Sequence, residues 1–313
     1  FGAGGEYSSA ERADHDVLDD PAWDATPLLR SLKDKAFAQL GTSGSGNHFV
    51  EWGVLTLTQA APELSLDAGE YLALLSHSGS RGVGYTIADT YSKLAMDQHP
   101  NLDRSVKHLA WLSLDSEAGL EYWQSMELAG RFASACHYVI HQRVARLAGV
   151  KPAAVVENHH NYAWKERIPA PKGYHTAQRE VIVHRKGATP AGQGVLGVIP
   201  GSMTAPGYVV RGKGLDEAIN SAAHGAGRQL SRRAAKDSIT RSDLRRYLET
   251  HGVKLIGGDL DEAPQAYKDI ESVMAAQADL VEVVARFEPR LVRMDDGSKG
   301  PRHKSDRRRK KRR

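Results

Sequence analysis

Four histidines in this sequence share one kind of context, beside glycine, asparagine or serine at the end of an apolar run. They are His48 in GSGNHFVE, His77 in LLSHSGSRG, His160 in VVENHHNYA and His224 in SAAHGAGRQ. An imidazole at a strand end can reach an open pocket, and neutral imidazole is the commonest ligand for borderline metal ions. One such histidine alone is more often an ordinary polar residue, but the repeated context favours a shared site. The spacings are too long for a local HExxH clip, so distant segments must assemble any metal site. Histidines alone suit zinc, manganese, iron, nickel or copper, which leaves the ion open.

Glycine-rich turns are the second chemical feature. GTSGSGN, HSGSRG, PGSM and HGAGR each expose backbone N–H groups, which can cradle phosphate oxygens, especially where a helix starts next. HGAGRQLSRRAAK fits best, because a helix is predicted there and Arg228, Arg232 and Arg233 follow the turn. A nucleophilic or phosphate-linked His224 would lie near those amides. The alternative for each turn is a tight loop that needs a positive φ angle.

Two further segments carry charges beside turns. HRKGATPA places His184, Arg185 and Lys186 at a strand end, where they could hold phosphate groups or form a solvated loop. In GGDLDEAP, the carboxylates of residues 259, 261 and 262 could bind a cation or cap the next helix, and we favour capping.

These groups have to be positioned by a mixture of helices and short strands. Apolar residues at helical spacing predict helices over 27–40, from HSGSRG to about Met96, and over 116–147, 217–236, 241–250 and 268–286. Cys136 lies on the apolar face of the longest helix, which predicts a buried core thiol. Short apolar runs predict strands in FVEWGVLTL, in EYLALLSH, and over 153–157, 179–184, 195–199 and 207–212. The predicted fold class is α/β, with mixed sheets flanked by helices.

The charge is distributed unevenly along the 313 residues. The whole chain has a net charge of +4, but residues 299–313 hold ten Lys or Arg and one Asp, so the first 298 residues carry −5. The isoelectric point near 9.0 is therefore a property of the tail and does not by itself indicate a nucleic-acid-binding protein. We predict that this basic tail is disordered.

Cysteine content and hydropathy exclude other classes. A single cysteine cannot form a disulfide scaffold within the chain, and reduced cytoplasm is the expected compartment. No apolar run approaches the roughly 20 residues that a membrane-spanning helix needs.

Taken in order, seven pieces of the sequence resemble the motifs of the RtcB family of RNA-splicing ligases. They are LGTSGSGNHFVEW, HSGSRG, HHN, HRKGAT, IPGSM, HGAGR and DEAPQAYK, from about residue 40 to 270. The resemblance implies an RtcB-like catalytic domain over residues 1–298, N-terminally incomplete, followed by the basic tail at 299–313. It also implies a ligase that uses GTP and manganese to join an RNA 3′-phosphate, or a 2′,3′-cyclic phosphate after hydrolysis, to a 5′-hydroxyl. Such ends arise in tRNA splicing and in RNA repair, and which RNA is joined stays open, as does the need for an activating protein partner.

The resemblance also implies roles for individual residues. The HGAGR histidine, His224, would be the catalytic nucleophile that becomes guanylylated. The metal ligands would be His48, His77 and His160. The nucleotide contacts would be Asn47, His48, Phe49, Val50, Glu51, His160, Asn161, Pro200, Gly201, Ser202, Met203, His224, Gly225, Ala226, Gly227 and Tyr267. His159 does not align with a ligand of the motif.

The sequence departs from the family pattern in three places. Nothing in it matches the family's upstream Asp-x-Gly-Cys-Gly segment, which supplies a carboxylate and a bridging thiolate to two metals. FGAGGEY resembles the stretch immediately C-terminal to that segment in the family, so we expect the segment upstream in the complete protein; without it the second manganese is doubtful. The family's terminal lysine, which contacts guanine, has only Arg293 and Met294 nearby, and Gly207 stands where many members have serine.

Two other functions fit the same residues. A metal-dependent phosphodiesterase acting on cyclic phosphate ends would need the histidines but no nucleotide, so GTP dependence separates it from a ligase. A catalytically crippled RNA-binding fragment would need neither, and its tail would bind phosphate backbones with a steep salt dependence.

Overall fold

The computed structural model describes residues 6–170 and 178–295, and the basic tail lies outside the described residues. Helices accompany both antiparallel and parallel strand pairs, which confirms the predicted α/β class with mixed sheets. The α-helices are α1 (Pro27–Gln39), α2 (Arg81–Gln98), α3 (Glu117–Leu147), α4 (Arg232–Ser238), α5 (Arg241–Thr250) and α6 (Ile270–Ala275). The strands are β1 (Phe49–Leu57), β2 (Gly69–His77), β3 (Asn161–Pro169), β4 (Gln178–Lys186), β5 (Ala188–Pro190), β6 (Leu196–Ile199), β7 (Gly207–Gly212), β8 (Ser221–Ala223), β9 (Lys254–Ile256) and β10 (Val281–Met294). Short 3-10 turns lie at Ser9–Glu11, Asp16–Asp19, Pro21–Asp24, Pro62–Leu64, Lys107–Leu109, Asp216–Ala218, Leu260–Glu262 and Pro264–Ala266.

The fold divides into two compact units. The first consists of the described residues within Phe1–Phe49, Ser76–Val144 and Met294–Arg313, and the second of those within Val50–Leu75 and Ala145–Arg293. The prediction of a single catalytic domain over residues 1–298 stays a prediction.

The first unit is built on α1, α2 and α3. Thr26 caps α1 by accepting a hydrogen bond from the Leu29 amide, and Pro27 suits the first helical position. The apolar faces of the three helices meet around Trp23 and Phe132, both fully buried and packed edge to face. Cys136 is also fully buried in this core, which confirms the predicted core thiol. The predicted helices over 27–40 and 116–147 are confirmed.

The second unit contains a sheet with the strand order β2-β1-β10-β7-β6, and β9 pairs with β10. β10 runs antiparallel to β7 and parallel to β9, and β6 runs antiparallel to β7. Ile199, Tyr208 and Val281 belong to the apolar core on which this sheet packs. The first residue of β1 and the last residues of β2 belong to the first unit. His48, which precedes β1, and His77, which ends β2, therefore both lie in that unit.

Two smaller antiparallel pairs complete the second unit. β3 pairs with β4, with Asn161 opposite Lys186, and β5 pairs with β8, with Ala188 opposite Ala223. The chain therefore leaves β4, turns at Gly187 and enters the strand beside the HGAGR segment. This connection brings two sequence motifs, HRKGAT and HGAGR, into contact.

Three predicted elements are wrong. Over 217–236, Ser221–Ala223 is a strand, and the left-handed φ angles of Ile219 and Asn220 exclude a continuous helix. Over 268–286, the helix ends at Ala275 and β10 follows, because pairing with neighbouring strands prevails over local helix propensity. Residues 153–157 are in none of the described strands; Ala154 and Val156 pack on an apolar cluster, so their pattern reflects burial.

In the part of the chain that the structure describes, no helix combines the length and the apolar character that crossing a bilayer requires.

Candidate active site

In the first unit, His48 and His77 lie together, as the sequence predicts. The two ring centroids are 5.6 Å apart, and Phe49 stacks on His77 at 5.5 Å. The side-chain nitrogen of Asn47 lies 3.3 Å from Nε2 of His77. Strand β1 and strand β2 therefore deliver their flanking histidines to one place, and the predicted nucleotide contacts Asn47 and Phe49 are beside them.

Arg81 supports this histidine pair from the first turn of α2. Its Nη1 lies 2.9 Å from Nδ1 of His48, and its Nε donates to the Thr42 hydroxyl. Burial lowers the pKa of Arg81. A guanidinium can only donate hydrogen bonds, so Nδ1 of His48 is the acceptor in this contact. A neutral His48 ring therefore carries its proton on Nε2. Gly44 makes the close approach feasible: its φ is +92°, and a Cβ there would lie 1.7 Å from an Arg81 nitrogen. Sequence reasoning did not single out Arg81, although it stands inside the quoted HSGSRG motif.

In the second unit, His160 and His224 form another pair. Their rings stack at 5.2 Å with an interplanar angle of 18°. A Cβ on Gly187 would lie 3.6 Å from the His224 ring, and the Gly187 carbonyl accepts a long, 3.4 Å hydrogen bond from the His224 amide. His159 instead stacks on Tyr162, and burial lowers its pKa. The two adjacent histidines of the HHN motif thus have different ring partners: His159 stacks on Tyr162, and His160 stacks on His224, the predicted nucleophile.

The HGAGR turn packs against the PGSM loop. The Ala226 amide donates to the Pro200 carbonyl at 3.2 Å, and a Cβ on Gly225 would lie 3.1 Å from that oxygen. Ser202 accepts from the Ala205 amide, while Met203 and Ala226 are buried. The predicted helix directly after the turn is wrong, because Ser231 caps α4 and the helix begins only at Arg232. The turn that follows His224 is therefore held by backbone contacts with the PGSM loop, and no helix begins directly after it.

Tyr267 lies C-terminal to the HGAGR segment in the sequence and contacts the arginine of that segment. Its hydroxyl donates to Glu262, and the Arg228 guanidinium sits 5.2 Å above its ring. Burial and Glu262 raise the pKa of Tyr267 above its ordinary range. Arg228 also pairs with Glu262 at 3.2 Å, so the arginine of HGAGR holds the tyrosine that was predicted to flank the base.

The acidic GGDLDEAP segment is an ion-pair and capping structure. Asp259 caps the 3-10 turn by accepting from the Leu260 amide, which confirms the capping role. Lys236 pairs with Asp259, and Arg232 pairs with Asp261 and Glu262. The side chains of Arg232 and Lys236 on α4 therefore form ion pairs with the same carboxylates that could otherwise have bound a metal ion.

The arginine of the HRKGAT segment is engaged in contacts within the protein. Arg185 is buried in β4, pairs with Glu166 at 2.5 Å and lies over the Trp164 ring. Strand alternation leaves His184 and Lys186 exposed on the opposite face. Arg185 is therefore a structural residue of the β3–β4 pair.

The structure also locates other residues that were predicted to contact the nucleotide. Val50 and Glu51 are buried in β1, and burial raises the pKa of the Glu51 carboxyl to about 8. Asn161 is exposed at the start of β3. Gly201 lies so close to Pro206 that a Cβ would be 2.3 Å from its carbonyl oxygen.

The imidazoles suit a borderline divalent cation in donor chemistry, two in each unit. Over residues 6–170 and 178–295, no three or more His, Cys, Asp or Glu side chains gather into a metal-holding group. In this arrangement Arg81 occupies Nδ1 of His48, so a metal there would displace that contact or take the other ring nitrogen. The predicted ligand set of His48, His77 and His160 stays a prediction.

Comparisons with known proteins find one family along most of the chain. A family model described as tRNA-splicing ligase RtcB matches residues 8–295. The RNA-splicing ligase RtcB of Escherichia coli (strain K12) is 34% identical over 275 residues, covering 84% of this chain and 62% of that protein. The tRNA-splicing ligase RtcB of Nanoarchaeum equitans (strain Kin4-M) is 32% identical over 304 residues, with 85% and 62% covered. The protein of the same description from Pyrococcus abyssi (strain GE5 / Orsay) is 30% identical, with 85% and 32% covered. The chain thus spans about three fifths of the length of the first two relatives.

Proposed function

Because the chain belongs to the RtcB family, we propose that it forms the nucleotidyl-transfer part of a GTP- and manganese-dependent RNA ligase. The ligase joins RNA 3′-phosphate or 2′,3′-cyclic phosphate ends to 5′-hydroxyl ends. The observation that carries this proposal is the position of His224, which stacks on His160 and is followed by a glycine-containing turn that packs against the Pro200–Met203 loop.

His224 acts as the nucleophile in this proposal. A ring nitrogen attacks the α-phosphate of GTP, a P–N bond forms, and pyrophosphate leaves with the electrons of the broken P–O bond. An oxygen of the RNA 3′-phosphate then attacks the histidine-bound phosphorus, the P–N bond breaks and the imidazole is released. The 5′-hydroxyl oxygen loses its proton and attacks the activated 3′-phosphate, so a phosphodiester bond forms and GMP leaves. A neutral imidazole is competent for the first step when nearby groups stabilise the phosphate charge.

Other residues of the chain orient the reactants. His160 packs flat against the His224 ring and limits its rotation. In this proposal the Gly225–Gly227 turn, which packs against the Pro200–Met203 loop, binds the nucleotide phosphates. Manganese on His48, His77 and His160 would supply Lewis-acid neutralisation of the phosphate charge.

A sealing assay tests this proposal. Full-length protein is incubated with an RNA bearing a 3′-phosphate and a 5′-hydroxyl, with and without GTP and Mn²⁺. Joined product should require both, and His224→Ala should abolish it, whereas His108→Ala, a matched change at an exposed histidine without a proposed role, should leave it unchanged. Sealing without GTP, or by the His224 variant, would refute the proposal. Opening of a cyclic phosphate without GTP and without joining would instead support the phosphodiesterase.

We propose the cytoplasm as the compartment. The one cysteine of the sequence, Cys136, is a buried free thiol, which is compatible with a reducing environment.

A further inference from the structure

A third group of imidazoles lies in the first unit, on α3. His137 and His141 are four residues apart and so project from the same face of the helix. Their ring centroids are 6.5 Å apart, with the planes at 83°. The Ser76 hydroxyl oxygen, on β2, lies 2.7 Å from Nδ1 of His137 and 2.8 Å from Nε2 of His141. None of these three residues has a role in the proposed ligase chemistry.

The two contacts of Ser76 cannot be equivalent. A hydroxyl carries one proton, so it donates to one imidazole nitrogen and must accept from the other if both contacts are hydrogen bonds. One ring nitrogen therefore accepts the Ser76 hydroxyl proton through its lone pair, and the other ring donates an N–H to the Ser76 oxygen. The two nitrogens are aimed at a single point, which the serine oxygen occupies.

We infer that this point is a binding site for a divalent transition metal of the zinc class, with Nδ1 of His137 and Nε2 of His141 as ligands. Zinc–imidazole bonds are about 2.0–2.1 Å long, so each nitrogen has to advance by less than about 1 Å toward the shared point. Ser76 has a short side chain that can turn away from the point or remain beside the metal. Water completes the coordination.

The helix makes this site rigid. Cys136 and Ile140, the neighbours of the two histidines on α3, are fully buried, so the backbone that carries both imidazoles is anchored in the core. Two histidines at i and i+4 on one helical face are an established geometry for binding zinc. The HYVIH sequence carries this spacing, and sequence reasoning overlooked it.

The donor atoms also select the ion. Affinity for nitrogen ligands rises from Mn²⁺ through Co²⁺ and Ni²⁺ to Cu²⁺, and Zn²⁺ binds far more tightly than Mn²⁺. A two-imidazole site therefore prefers zinc over the manganese proposed for the nucleotide site. This inference does not depend on the ligase proposal.

Zinc titration of the chelator-stripped full-length protein tests the inference. Calorimetry should show one more Zn²⁺ bound by the wild type than by a His137→Gln/His141→Gln variant. The single variants should weaken that site by about tenfold or more. His108→Gln, which removes an exposed histidine elsewhere in the first unit, is the matched control and should leave the stoichiometry unchanged.

A second measurement keeps the test independent of variant folding. In wild-type protein, zinc should shift the ¹⁵N resonances of Nδ1 of His137 and Nε2 of His141 to values typical of metal-bound nitrogen. Ser76→Ala keeps both ligands and should keep these shifts. Unchanged ring resonances at saturating Zn²⁺, or equal stoichiometry in the wild type and a folded double variant, would overturn the inference.

Discussion

At the scale of single residues, Glu51 shows how burial changes chemistry. The side chain is 4% exposed, and burial raises its pKa to about 8. In the unfolded chain a Glu carboxyl titrates near 4.3, so between these two values the unfolded state has released a proton that the folded state retains. The free energy of unfolding must therefore fall as pH rises from about 4.3 to about 8.

Glu51→Gln removes that titration. Between pH 5 and pH 8, the wild type should lose on the order of 1–4 kcal/mol of stability relative to the variant. Urea unfolding at the two pH values, followed by circular dichroism, measures the difference. Parallel pH profiles for the two proteins would show that the Glu51 carboxyl titrates normally.

The histidines show what residue types can and cannot predict. Their shared context indicated a common site, and the structure pairs His48 with His77 and His160 with His224. Spacing could not reveal Arg81 against His48, because that contact depends on the turn at Gly44. The tautomer of a histidine is likewise a property of its neighbours and not of its position in the sequence.

At the scale of elements, the β3–β4 pair separates two adjacent basic residues. Arg185→Met should destabilise the protein by about 2–4 kcal/mol, because it leaves Glu166 without its partner and removes hydrogen bonds to Ser221 and the Ile219 carbonyl. Lys186→Met, on the exposed face, should change stability by less than about 0.5 kcal/mol. Chemical denaturation of the two variants checks this, and equal effects would contradict a buried structural role for Arg185.

The PGSM loop offers a second test at this scale. In Gly201→Ala the new methyl group would lie 2.3 Å from the Pro206 carbonyl oxygen, so the loop must shift. We expect a loss of about 1–3 kcal/mol and weaker sealing activity. Gly192→Ala is the matched control, because its methyl would meet only Val195 at 3.4 Å. Thermal unfolding and the sealing assay measure both effects; a Gly201 variant as stable and active as the Gly192 variant would contradict the packing described here.

Element prediction succeeded where local signals and packing agree. The periodic apolar face of α3 and the capped start of α1 are readable from sequence because burial and capping act within one segment. β3 was missed, and residues 281–286 of β10 were predicted as helix, because strand pairing is decided by residues far away in the chain. The sequence did not predict the short strand β8 either, because its pairing partner β5 lies more than thirty residues earlier in the chain.

At the scale of the whole molecule, charge is concentrated at one end of the sequence. Residues 299–313 contain ten Lys or Arg, whereas the rest of the chain has a net charge of −5. Deleting these residues should weaken RNA binding and flatten its dependence on salt, since fewer counterions are released from the RNA. Fluorescence anisotropy with a labelled RNA across a salt series measures the slope. An unchanged slope would mean that the tail does not contact phosphates.

The central claim is that His224 forms a covalent bond to GMP. Full-length protein incubated with GTP and Mn²⁺, then digested, should give a His224-containing peptide heavier by one GMP, with the acid lability of a P–N bond. His224→Ala should give no adduct, and Gly192→Ala should give the wild-type amount. A GMP adduct on another residue, or an equal amount in the His224 variant, would contradict the account.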